Sequence, residues 1–164
     1  MATGTSAEQP RRPPVSAARP PGLLGGVEMG GTTIGCAVSV DGRHVESELR
    51  FATGTDPTDA LRQVVGYFRA QEQQRGPLAA IGVGAFGPVD LDWSSATYGC
   101  ITSTPKPGWA GTDVLGTLSA ALPGIPIVID LDVNAAALGE QQHGAGVGVD
   151  SLVYLTVGTG IGGG

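Results

Sequence analysis

Gly26-Val-Glu-Met-Gly-Gly-Thr-Thr33 sets an apolar strand directly before a glycine pair and two hydroxyls, and Leu155-Thr-Val-Gly-Thr-Gly-Ile-Gly162 repeats the arrangement near the other end of the chain. A glycine pair after a buried strand lets backbone N–H groups point at an anion with no side chain in the way, and neighbouring hydroxyls add donors. Gly30, Gly31, Thr32 and Thr33, with Gly158, Thr159 and Gly160, are therefore candidate phosphate-binding residues. Taken singly, each stretch also suits a plain tight turn. Neither is a Walker loop, because no Gly-x-x-x-x-Gly-Lys-Ser/Thr occurs. The first is not a dinucleotide fingerprint either, since a strand follows it where a helix should.

Outward from the first turn, Leu23 to Met29 reads as a buried strand and Ile34 to Val40 as a second. Asp41-Gly42 is a two-residue hairpin signal leading to a third strand, Val45 to Phe51. Asp56 or Thr58 can cap a helix over Thr58 to Gln74, where Leu61, Val64, Val65 and Phe68 recur at helical spacing. Gly76-Pro77 ends it. Leu78 to Val83 is a short apolar strand fed by that crossover helix, hence a candidate for parallel pairing. Residues 85–110 form a long loop rich in glycine and proline, a length that usually serves a ligand. Thr112 to Leu122 reads as a helix, Ile125 to Ile129 as a strand and Val133 to Gln142 as an alanine-rich helix. The pattern is βββαβαβα, an α/β domain over residues 22–142. Residues 143–164 read as a hinge and the first strand, Ser151 to Val157, and phosphate loop of a second, truncated domain. Residues 1–21, rich in Pro, Ala, Ser and Arg and without apolar periodicity, read as a disordered tail.

Of the 164 residues 41% are apolar and 15% charged, enough to bury the core of one domain. The 28 glycines exceed what turns need and gather at strand ends, which favours a ligand site over a scaffold. A net charge of −6, with Lys106 the only lysine, argues against nucleic acid. Cys36 and Cys100 lack metal-ligand spacing and read as free thiols, which with the absence of an apolar run of membrane-spanning length makes cytoplasm the expected compartment.

Asp132 stands at the end of an apolar strand and is followed by Asn134 and small residues. A carboxylate there can accept a proton from a bound hydroxyl, and it can equally cap the helix that follows. Asp130 is the other acid that could face a ligand.

Five separated stretches together resemble the successive motifs of the ROK family of bacterial sugar kinases: Glu28-Met-Gly-Gly-Thr-Thr33, Gly84-Ala-Phe-Gly-Pro-Val-Asp90, Tyr98-Gly-Cys-Ile-Thr-Ser-Thr-Pro-Lys-Pro-Gly-Trp109, Asp132-Val-Asn-Ala-Ala-Ala-Leu-Gly-Glu140 and Leu155-Thr-Val-Gly-Thr-Gly-Ile-Gly162. Order and spacing match throughout residues 22–164. Glu28 in the first loop and the Thr-Pro-Lys-x-Gly-Trp segment look most like the fructokinase branch. The resemblance implies an actin-like, ribonuclease H-like ATPase fold and ATP-dependent phosphorylation of a hexose, fructose above glucose or an amino sugar, with Mg²⁺. It makes Asp132 the general base. It gives the sugar pocket to Asn134, Gly87, Pro88, Lys106, Gly108 and Trp109, and puts Glu28 near the metal through water. Gly30, Gly31, Thr32, Thr33, Gly158, Thr159 and Gly160 would lie at the phosphates. It further implies a homodimer for a full-length protein. Members usually have lysine where this chain has Thr33. They also continue well beyond this length, so the zinc-binding His and Cys cluster of the family is expected outside these residues and no zinc site within them. A truncated, non-catalytic sugar-binding product is the competing reading. A repressor of the same family would need a winged-helix domain, for which residues 1–21 are too short and proline-rich.

An apolar strand 151–157 without its sheet would present unpaired backbone, so the isolated chain is expected to aggregate or self-pair. Gel filtration showing a monodisperse monomer would count against the domain boundary at residue 143.

Overall fold

A computed structural model describes residues 22–157 and 161–164. The disordered-tail expectation for residues 1–21 lies outside the described residues. Five strands form one mixed sheet in the order β3-β2-β1-β4-β5. β1 (Leu23–Met29), β2 (Thr33–Ser39) and β3 (Ser47–Ala52) are consecutive antiparallel neighbours. β4 (Leu78–Ala85) pairs in parallel with β1, and β5 (Ile127–Leu131) in parallel with β4. The helices between them are α1 (Pro57–Arg75) and α2 (Val114–Ala121), and α3 (Asp132–His143) follows β5.

One face of the sheet carries the core. Val27, Met29, Ile34, Cys36, Val38, Ile81 and Val83 alternate inward with the two-residue period of strands and meet Leu61, Val64 and Phe68 of α1 and Leu118 of α2. All four residues of the expected helical stripe are buried. Asp56 is the residue that caps α1, accepting from the amides of Thr58 and Asp59. Cys36 is a free thiol in this core, and burial pushes its pKa up to about 12, so it is inert at neutral pH.

The opposite face is mostly open and is covered on one side by α3. The covering depends on Gly84, where an added Cβ would lie 2.8 Å from Ala135 Cβ and 3.4 Å from Asp132 Cα. Only a residue without a side chain lets the first turn of α3 settle directly on β4.

Two details differ from the sequence reading. The Asp41-Gly42 turn is a longer loop, because pairing of β2 with β3 stops at Val38 and Ser47. The Asp41 carboxylate accepts from the amides of Arg43 and His44, each at 2.8 Å, and so makes the turn from its side chain. Of the expected strand Ser151 to Val157 only Leu155–Val157 (β6) is strand, and it pairs with Ile161–Gly163 (β7) in a separate two-stranded sheet. Val153, Leu155, Val157 and Ile161 are exposed there. Gly162 and Gly164 abut Val133 in the first turn of α3.

Gly84→Val should cost about 1–3 kcal/mol of stability by overpacking the α3 contact. A urea midpoint equal to that of the unaltered chain would show that α3 does not rest on β4 in this way.

Candidate active site

β1, β4 and β5 run parallel, so their C-terminal ends lie along one edge of the sheet, and open α/β sheets bind ligands there. The Gly30–Thr33 turn follows β1, Phe86-Gly87-Pro88 follows β4, and Asp132 follows β5.

In the first turn the Gly30 amide donates to the Thr33 carbonyl at 2.9 Å. Among the described residues, the amides at the tip, Gly31 and Thr32, are left as the donors this turn can offer an anion. Residue Thr53, just past β3, fixes the turn from behind. Its hydroxyl donates to the Gly30 carbonyl at 2.7 Å and its amide to the Thr32 carbonyl at 2.9 Å, and Thr53 itself is only 1% exposed.

The same short segment anchors the loop Lys106–Trp109. Trp109 Nε1 donates to the Gly54 carbonyl at 3.1 Å. Gly108 has φ of 82° and packs so closely on the Thr55 carbonyl that a side chain there would collide with it. Trp109 is fully buried, edge-on to Phe86 with ring centroids 5.3 Å apart, so its indole holds the loop in place and is not a wall of an open pocket. The Phe86 amide donates to the Met29 carbonyl at 2.7 Å, which ties the β4 loop to the end of β1, just before the Gly30–Thr33 turn. Gly87 packs on Leu131, immediately before Asp132; the Gly87–Pro88 peptide is cis. Lys106 is half-buried and Pro88 exposed. Between these loops Asp90 accepts from the hydroxyls of Ser95 and Thr97, which, with the Asp92 amide, hold its carboxyl below the usual range. That interaction shapes the loop 89–101.

Asp132 does not cap α3. The cap position is Leu131, with no side-chain hydrogen bond, and Asp132 is the first helical residue. Its Oδ1 accepts only from the next amide, Val133, at 2.8 Å. Asp130 is more engaged: its Oδ1 accepts from the Leu131 amide and from Asn134 Nδ2, both at 2.7 Å, so it orients the Asn134 amide.

The open face of the sheet holds a cavity of about 690 Å³ whose lining includes Glu28, Arg50, Asp130 and Asn134, with α3 as one wall. The cavity collects Glu28, Asp130 and Asn134 from the sequence candidates. Asp132, Gly87, Pro88 and the Gly30–Thr33 turn stand at the strand ends. Gly158, Thr159 and Gly160 lie outside the described residues. The sequence reading missed Thr53, Phe86 and Arg50, since a threonine closing a strand, a phenylalanine in a long loop and a strand arginine carry no local signal.

A family model described as "ROK family" matches residues 24–164. The chain belongs to the ROK family. It is 44% identical over 140 residues to a fructokinase of Lactococcus lactis subsp. cremoris, covering 85% of this chain and 45% of that protein. It is 43% identical over 142 residues to a fructokinase of Streptococcus mutans serotype c, covering 87% of this chain and 46% of that protein. Among solved structures, a ROK glucokinase from Streptomyces griseus in complex with glucose and AMPPNP superposes with a TM-score of 0.73 at 30% identity, over 87% of this chain and 43% of that one. The chain thus has the actin-like α/β fold of ROK sugar kinases and spans a little under half the length of the two fructokinases.

Thr53→Val leaves the partly buried Gly30 carbonyl without its hydroxyl donor, and should cost about 1 kcal/mol. Thermal melting measures the loss; a melting temperature equal to that of the unaltered protein would show that Thr53 does not hold the turn.

Proposed function

We propose that the protein carrying this chain is an ATP-dependent hexose kinase whose substrate is fructose and whose product is fructose 6-phosphate. The observation that carries the reading is the edge on which Asp132, seated on Gly84, stands beside Gly87 and shares the strand ends with the Gly30–Thr33 turn. High identity to two fructokinases supports the choice of sugar. Glucose is the second candidate, because the solved neighbour from Streptomyces griseus was obtained with it.

In this reading Asp132 accepts the proton of the sugar hydroxyl through Oδ2, which no described residue engages. Asn134, held by Asp130, directs its amide oxygen to the sugar. Gly87, Pro88 and the loop Lys106–Trp109 shape the pocket around it. Phosphoryl transfer needs positioning and charge stabilisation more than covalent help, and a rigid set of loops supplies that.

The donor set fits a magnesium nucleotide in a particular way. Among the described residues no three His, Cys, Asp or Glu side chains gather into a metal cage. A Mg²⁺ ion would therefore take its ligands mainly from phosphate oxygens and water, as this ion commonly does, with the exposed Glu28 carboxylate behind the water. When bound, the magnesium nucleotide supplies the phosphoryl group and offsets its charge. The Gly31 and Thr32 amides would hold phosphate oxygens, and Gly158, Thr159 and Gly160 are assigned to the same role from the second loop. Sugar and nucleotide are the proposed partners, in a cytoplasmic homodimer.

Asp132→Asn in the protein at the length of its relatives should lower kcat on the order of 10²–10⁴-fold while hexose still binds. Asp130→Asn, which frees Asn134, should chiefly raise the hexose KM. Phosphorylation of every hexose in a panel at the unaltered rate by Asp132→Asn would remove Asp132 from the mechanism.

A further inference from the structure

One transverse row of the sheet crosses all five strands on its open face. The pairings Arg50–Gly35, Gly35–Glu28, Glu28–Gly84 and Gly84–Asp130 set three charged side chains in line, with a glycine between each pair. The guanidinium of Arg50 reaches from β3 over β2 toward Glu28 on β1, where Nη1 lies 3.7 Å from Oε2. The two side chains cross directly over Gly35: a Cβ built there would touch both at ordinary contact distance, 3.7 Å from Arg50 Cζ, 3.8 Å from Arg50 Nη1 and 3.8 Å from Glu28 Oε2.

An ion pair this long, with side chains 61% and 70% exposed, adds little to stability, so the fold does not require it. The cavity beside it has a different need. Its lining carries the carboxylates of Glu28, Glu48 and Asp130, and Arg50 is the one cation among the described residues that line it. Thr33, on the same face one row nearer the turn, is uncharged. A nucleotide whose phosphates lie at the Gly30–Thr33 turn would face three carboxylates. Within two residues of that turn along β1 stands a single planar donor fork, already directed at the strand that ends in it, and a guanidinium fork matches phosphate oxygens.

We propose that Arg50 binds the phosphate oxygens of the incoming nucleotide, exchanging Glu28 for them and releasing the Glu28 carboxylate toward the hydrated metal. The assignment rests on the kinase reading above for the identity of its ligand. It makes Arg50 a nucleotide-binding residue.

The test uses the protein at the length of its relatives, with two separate readouts: KM for magnesium ATP and for fructose in turnover, and Kd for magnesium ADP by equilibrium dialysis, which needs no turnover. Arg50→Ala should raise the nucleotide KM and Kd about tenfold, the loss of one charge-assisted contact, and leave the fructose KM unchanged. Arg50→Lys should recover part of the affinity, because the charge returns without the fork. Gly35→Val should mimic Arg50→Ala with the arginine still present, since a branched side chain then stands in its path. Because Arg50 is exposed, Arg50→Ala should melt with the unaltered protein, and a melting check confirms that the variant is folded. Nucleotide KM and Kd unchanged in folded Arg50→Ala would overturn the assignment while leaving the kinase reading in place. Nucleotide affinity that depends on Arg50 in a protein that phosphorylates no hexose would sink the kinase reading and uphold Arg50. Failure to bind nucleotide at all would overturn both.

Discussion

The pairing of β4 in parallel with β1 on one side and β5 on the other is the constraint on which the site depends. Parallel strands end on the same edge of a sheet, so two loops and a helix distant in sequence, beginning at Gly30, Phe86 and Asp132, start side by side. Crossover helices impose that geometry. Each of α1 and α2 must carry the chain back along the core face before the next parallel strand can start, and both bury their apolar stripes in doing so. The core face is consequently saturated with Val, Ile, Leu and Phe, and the chemistry is displaced to the strand ends and the opposite face.

That opposite face is built on small residues. Gly84 lets α3 settle on β4, and with it the first helical residue, Asp132, takes a fixed place above the sheet. Asp130 and Asp132 look alike in sequence, yet the structure gives them separate surroundings: one carboxylate is occupied in orienting Asn134, the other accepts a single amide from its own neighbour. Two acids two residues apart around the strand-to-helix junction can serve different purposes because the backbone changes direction between them.

Segment Thr53-Gly54-Thr55 connects the loops to one another. Thr53 grips the Gly30–Thr33 turn with its hydroxyl and amide, Gly54 receives the buried Trp109 indole, and Thr55 lies under Gly108. A preorganised site needs such support, since loops left to themselves lose the placement that a binding or catalytic site requires. Among the described residues, the carboxylates of Glu28, Glu48 and Asp130 and a single arginine line the cavity on the open face.

The sequence by itself determined the order and type of the strands and helices over residues 22–142, because apolar residues at a period of two or at helical spacing leave the backbone few alternatives, and Leu61, Val64, Val65 and Phe68 are buried as their spacing requires. It also carried the glycine turn and the Asp132 motif, since both are local patterns with a local physical cause. Tertiary structure decided the rest. Whether Asp132 caps its helix, whether Trp109 faces a pocket or the core, that Thr53 braces the Gly30–Thr33 turn and that Arg50 lines the open-face cavity all depend on how the chain folds up in space. The hydrogen bond from Trp109 to Gly54 and the reach of Arg50 across Gly35 exist only once strands far apart in sequence are brought into register, and no window of neighbouring residues records that register.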